Sequence, residues 1–355
     1  NYISLLLMKN LRYLPLVIAG AAAMAACHSI EEFDNGLQGN FDALWTTVDQ
    51  HYCFFEEKDV DWDSVYREYK PRVNDTMDMF AYFDVCADML DELRDGHVNL
   101  SSSFKTSYYR KWWSDYPQNF DERLIQEHYF NFEYSQAGGL TYGLLADSTI
   151  GYIRYPSFSY GIGEGTLDLI FYQMRDCLGL VIDIRDNGGG SLTNVETLVS
   201  RFIDRRILAG AISHKNGPAH NDFSEPYKFY YEPDYEHVRW LRPVSVLTNR
   251  STFSAANNFT GIMKTLPMVT IVGAKTGGGS GMPFSSEIPC GWAVRMSGSR
   301  LYDPLGHETE SGIEPTEGYA VDLDPEAVAN GIDNMLETAI EAIYRFYDSD
   351  SDTEG

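Results

Sequence analysis

The sequence predicts a mixed α/β fold with a small N-terminal helical domain. Apolar residues recur at helical spacing between Phe41 and Leu93. Beyond residue 150, short apolar runs alternate with amphipathic stretches, the pattern of strands feeding helices into a mostly parallel sheet. At 355 residues the chain can form one large core and a smaller unit.

Bulk composition narrows the function. Hydrophobic residues make up 44% and charged residues 22%, a globular balance. Net charge is −25, from 27 basic and 52 acidic residues, which excludes nucleic-acid binding through phosphate neutralisation. It also disfavours anionic lipid surfaces.

The first segment reads as processing signal. Met8-Lys9-Asn10-Leu11-Arg12 is basic, Leu14–Ala26 is apolar, and Cys27 follows small residues. This is a signal-peptide layout, too short for a convincing membrane span. Residues 1–26 are therefore taken as upstream residues plus signal peptide, and the protein as exported. Met24-Ala25-Ala26-Cys27 resembles a bacterial lipoprotein box. That resemblance implies lipidation at Cys27 and attachment to the cell envelope by a lipid anchor. Plain secretion and an uncleaved anchor are the alternatives.

Residues 27–40 read as a polar tether and 41–100 as the helical domain. Phe41, Leu44, Trp45 and Val48 share one helical face, and breaks fall at Pro71 and Asn74-Asp75. Residues 101–150, polar and aromatic with Trp112-Trp113, read as an insert of loop and short strands. The core spans 151–348. Strands are expected at 151–158, 179–187, 243–250 and 268–276. Helices are expected at 166–177, 194–204, from about 251 to 266, and at 324–347. Residues 349–355 are an acidic tail. Cys53, Cys86, Cys177 and Cys290 show no disulfide framework and read as small buried hydrophobes. No CxxC or HExxH motif occurs, so no metal and no cofactor is expected.

Three segments can carry chemistry. Asn249–Phe259 ends a strand, turns, and opens a helix, so a Ser there projects from a helix N-terminus that favours a developing anion. Ser and Thr cap helices often, and on this segment alone capping is the plainer reading. Asp183–Ser191 runs a buried strand into three glycines, whose bare N–H groups can bind a carbonyl oxygen. No Lys-Ser or Lys-Thr follows, so it is not a phosphate loop. Arg94–Leu100 places His97 after an Asp-Gly turn; a lone His is more often structural. Together the three form an acyl-transfer set: nucleophile, base and oxyanion loop.

With their order and spacing, GYIRYPSF, GLVIDIRDNGGGS, LTNRSTFSAANNF, VGAKTGGGSG and GIEPT resemble the core blocks of the C-terminal processing (tail-specific) peptidase family, over roughly residues 90–320. The resemblance implies a crotonase/ClpP-like ββα-superhelix core. It also implies a serine nucleophile just before an alanine, here Ser254 followed by Ala255, with Ser251 the weaker choice. Many members use a Ser–Lys dyad, but Gly279 stands in the lysine's place and Lys275 lies before the glycines. Tricorn-core-like members use His and Glu, which here are His97 and Glu310, or Glu308 two residues earlier. Many relatives carry a PDZ domain before the core; the 101–150 insert is too short for one. Asn257 stands where relatives often have Glu.

The implied reaction is hydrolysis of peptide bonds in unstructured or C-terminal polypeptide segments. Ser254 attacks, His97 is the general base, and Glu310 orients the imidazole. The N–H groups of Ala255, Gly188 and Gly189 form the oxyanion hole. Two other readings are a non-catalytic binder of peptide or apolar ligand on the same fold, and a crotonase-type acyl-CoA enzyme. The intact Ser254, His97 and glycine loop weigh against the first; export weighs against the second.

Overall fold

The computed structural model describes residues 33–351. The expected signal peptide and Cys27 lie outside the described residues. Three helices open the fold: α1 (Leu37–His51), α2 (Trp62–Tyr69) and α3 (Met79–Asp91). α1 begins inside the stretch expected to be tether, despite Gly39 and Asn40. Tertiary contacts override their weak helix propensity. Asn40 is buried, donating to the Gly36 carbonyl and accepting the Cys290 N–H at 2.7 Å. Asp61 and Asp78 cap α2 and α3 with their side chains.

Eleven strands among the described residues form two sheets. They are β1 (Asn99–Ser101), β2 (Ser135–Ala137), β3 (Leu140–Leu145), β4 (Ile150–Arg154), β5 (Gly179–Asp183), β6 (Ile207–His214), β7 (Tyr227–Tyr231), β8 (Val244–Thr248), β9 (Val269–Gly273), β10 (Gly281–Glu287) and β11 (Ala293–Tyr302). The larger sheet has the order β2-β3-β4-β5-β8-β9. Strands β4, β5, β8 and β9 run parallel, with β3 and β2 as an antiparallel edge. The smaller sheet, β1-β11-β6-β7 with β10 also on β11, is antiparallel. The insert supplies short helical turns and the strands β2 and β3, which join the edge of the larger sheet.

The continuous apolar runs of β5, β8 and β9 follow from burial on both faces. Ile182, Val246 and Ile271 face helices α4 (Glu164–Gln173), α5 (Leu192–Val199) and α6 (Ala255–Lys264). Their neighbours Val181, Leu247 and Val272 face the C-terminal helix through Met335, Leu336 and Ile340. Full burial of each such side chain contributes about 1.5–3 kcal/mol. The expected helix over 324–347 is two, α7 (Pro325–Ala329) and α8 (Asn334–Ser351), parted where Gly331 adopts a φ of +78°. Buried Arg185, beyond β5, bonds Asp183 at 2.6 Å and Asp333 at 2.8 Å, pinning α8 to the sheet.

The helical region packs on the smaller sheet, with Phe41, Phe83 and Met89 sharing a core with Trp292, Val294 and Met296. β1 extends from it onto β11, so His97 reaches the core through a sheet contact. Cys53, Cys86, Cys177 and Cys290 are free thiols, the first three buried.

Candidate active site

β8 and β5 end side by side, and their following loops are stitched together. Asn249 accepts the Asp186 N–H at 2.9 Å and donates to its carboxylate at 2.7 Å. The Thr252 hydroxyl donates to the Ile184 carbonyl, and the Phe253 N–H donates to the Asn187 carbonyl. The next residue, Ser254, turns sharply, at φ +59° and ψ −120°, and α6 begins behind it. A non-glycine residue held there is strained, and such strain persists only where surrounding contacts impose it. Here the Ser254 N–H donates to the Gly278 carbonyl at 2.8 Å.

Ser254 occupies the N-cap position but makes no side-chain capping bond. Its Oγ lies instead 3.0 Å from His97 Nε2. Residues 157 apart in the chain thus meet at hydrogen-bond distance. His97 is buried, its ring tilted against Phe253 with centroids 4.8 Å apart. Burial lowers the imidazole pKa, Asp95 opposes that, and Arg295 and Lys58 add to it. The ring is therefore neutral at neutral pH, the form that accepts a proton.

The glycine loop lies against the serine. Gly189 has a φ of +96°, and a Cβ there would sit 2.7 Å from Ser254 Cβ and 2.8 Å from the Ala255 nitrogen. Only glycine allows this approach. The expected oxyanion set needs one change. The Gly189 N–H already donates to the Asn187 side chain at 2.9 Å, closing an Asx turn. Among the described residues, the N–H groups of Gly188 and Ala255 have no acceptor.

Glu310 is not hydrogen-bonded to His97. It pairs with Lys58 at 2.9 Å and accepts the Ser280 N–H at 2.8 Å. Burial first, then the Asp95 charge, pushes its carboxyl up to about 8, while Lys58 pulls the other way. Once ionised, Glu310 together with Asp95 outweighs burial and holds Lys58 above the ordinary lysine range. Glu308 accepts the Ser280 hydroxyl at 2.6 Å and the Glu310 N–H at 2.5 Å, bracing that turn. Among the described residues nothing bonds His97 Nδ1, although it is buried.

The position where many relatives carry lysine is strained against one. Gly279 has a φ of +76°, and a Cβ there would meet the Phe253 ring at 2.4 Å. Lys275 is half-exposed and pairs with Glu314 at 3.0 Å. Asn257 is buried and braces the site's back wall: it accepts the Thr276 hydroxyl at 2.6 Å and donates to Thr309. Thr276 in turn accepts the Ile313 N–H at 2.7 Å.

Two clefts open beside neighbours of the pair. One of about 900 Å³ is lined by Lys58, Gly96, Trp112, Arg250, Phe253 and Glu310. Another of about 480 Å³ is lined by Trp112, Tyr116, Gly188 and Ser251. Trp112 stacks on Phe253 with centroids 4.1 Å apart and stands in the wall of both. Arg250 ties the insert down, donating to the Trp112 carbonyl at 2.5 Å and lying over the Tyr116 ring. Sequence reasoning singled out neither Trp112 nor Arg250 as a site residue; the aromatic run was the only signal.

The model of peptidase family S41 matches residues 149–318, and that of the tricorn protease C1 domain matches 34–91. A crystal structure from Parabacteroides merdae, provisionally assigned as a peptidase, is 47% identical. It covers 87% of this chain and 97% of that one, with a TM-score of 0.83. The chloroplastic C-terminal processing peptidase of Tetradesmus obliquus is 26% identical over 58% of this chain and 40% of its own length. Carboxy-terminal processing protease CtpB of Bacillus subtilis is 26% identical over 47% and 33%. The matches to these two curated relatives thus span two-fifths or less of their length.

Proposed function

Since the chain belongs to peptidase family S41, we propose that it is a serine endopeptidase in which Ser254 is the nucleophile and His97 the general base. The observation that carries this is the 3.0 Å contact between His97 Nε2 and a Ser254 Oγ held on a strained turn with no capping duty. Ser254 Oγ attacks the peptide carbonyl as its proton passes to His97 Nε2. The imidazolium then protonates the leaving amine, and water hydrolyses the acyl-enzyme by the same route. The Gly188 and Ala255 N–H groups receive the oxyanion, aided by the N-terminus of α6.

The substrate is an unstructured or C-terminal polypeptide segment. The clefts beside Trp112 suit an extended chain, and the insert takes on substrate capture. The protein is exported and carried on the cell envelope by a lipid at Cys27. Loss of labelled fatty acid in Cys27→Ser checks that placement.

The reaction is tested with an unstructured peptide whose cleavage is followed by mass spectrometry. Ser254→Ala should remove turnover by about 10⁴-fold or more while far-UV circular dichroism is unchanged. Retained cleavage in that variant overturns the assignment and favours a binding protein on this fold.

A further inference from the structure

We infer that Asp95, two residues before the base, is the carboxylate that positions His97 and favours its protonated form during turnover; this rests on the Ser254–His97 reading above. Asp95 is buried, and its two oxygens accept three hydrogen bonds from different parts of the fold. Oδ1 accepts the His97 main-chain N–H at 2.7 Å, fixing the backbone that carries the imidazole. Oδ2 accepts the Tyr52 hydroxyl at 3.1 Å and the Ser297 hydroxyl at 2.8 Å. Tyr52 closes α1 and Ser297 lies within β11, and both are fully buried.

Three neutral donors satisfy this carboxylate, and among the described residues it forms no ion pair. Its charge is therefore not cancelled by a bonded cation and acts on its surroundings across a low-dielectric interior. The charged groups acting on His97 are Asp95, Arg295 from β11, and Lys58 from the segment after α1. Glu310 and Glu308 act on Lys58. Only Asp95 favours the imidazolium; burial, Arg295 and Lys58 all oppose it. Glu310 is a poorer candidate, because it bonds Lys58 and burial raises its carboxyl well above the usual range. When His97 Nε2 takes the proton from Ser254 Oγ, the new positive charge forms on the residue whose main-chain N–H Asp95 already holds.

The experiment measures kcat and KM against pH on an unstructured peptide, using the full chain, for the wild type, Asp95→Asn and Ser254→Ala. Asn can keep the three local hydrogen bonds, with the Tyr52 and Ser297 bonds reversed, while removing the charge. In Asp95→Asn, kcat/KM should fall about 10- to 100-fold. The acidic limb should move to lower pH by about half a unit or more, since burial, Arg295 and Lys58 then go unopposed. A fall with the limb unmoved marks a merely structural residue and overturns the inference, as does an unchanged rate. Where Asp95→Asn does not fold, Tyr52→Phe/Ser297→Ala carries the test. It should lower kcat about tenfold at unchanged KM, and an unchanged kcat overturns the inference. Ser254→Ala separates the two levels. If it stays active, the serine reading falls; if it is inactive while Asp95→Asn matches wild type, only the role of Asp95 falls.

Discussion

Ser254 is positioned by loops that pack directly on it, whereas His97 is positioned by residues gathered from three distant parts of the chain. Behind the serine stand Gly189, the Gly278 carbonyl and the Asn257–Thr276 pair, all in loops at the ends of parallel strands or on the helix that follows. Behind the histidine stand Tyr52 just after α1, Asp95 from its own turn and Ser297 from β11. The first arrangement is the end of a sheet; the second is an interface between the helical region and the smaller sheet. On the proposed reading, the nucleophile rests on strand ends, away from the N-terminal helices. On the same reading, the base sits at that interface and depends on its docking.

The sharpest way to break this contrast is to remove the proposed base. His97→Ala should lower kcat/KM about 10³-fold, and Lys275→Ala should change it by less than about twofold. The reverse ranking in a steady-state peptide assay would restore a lysine mechanism. Next in size is Gly279→Lys, which installs the side chain many relatives carry. The positive φ and the Phe253 ring oppose it, so it should lose about 3 kcal/mol in urea unfolding. It should also fail to restore activity to His97→Ala; rescue would show that the two mechanisms share one scaffold.

Trp112→Ala removes the wall between the clefts and should raise KM about tenfold with kcat nearly unchanged. A loss confined to kcat would place Trp112 with the reacting groups instead. The last prediction concerns stability rather than rate, at Glu310. Its folded pKa is raised from 4.5 to about 8, so the folded state holds that proton more tightly than the unfolded chain. Its contribution to stability is present at low pH and declines as pH rises between those values. Glu310→Gln should flatten the melting-temperature profile from pH 5 to 8, and an unchanged slope would mean that Glu310 does not titrate there.

The same contrast explains what the sequence disclosed. The nucleophile side is carried by contiguous motifs, so Ser254, Ala255 and the glycine loop could be singled out from spacing and resemblance. The two-sided burial of β5, β8 and β9 makes their apolar runs easy to read. The half-exposed strands β6, β7, β10 and β11 have burial patterns broken by polar and aromatic residues, and no clean alternation marks them in the sequence. His97 could be nominated, but its support could not. No spacing links Tyr52, Asp95 and Ser297, and Asp95 in the Asp-Gly-His turn reads as an ordinary turn residue. The expected carboxylate, Glu310, is spatially near the base through Lys58 yet bonded elsewhere, a distinction that only three-dimensional geometry draws.

The central claim, an activated Ser254, is tested most directly by the rate of labelling with a fluorophosphonate probe, located by peptide mapping. The full chain should be labelled on the peptide containing Ser254 and specifically at that residue. His97→Ala should slow labelling about 10³-fold at neutral pH. Folded wild-type protein that takes no label, takes it at Ser251, or is labelled at the same rate without His97 would contradict the account.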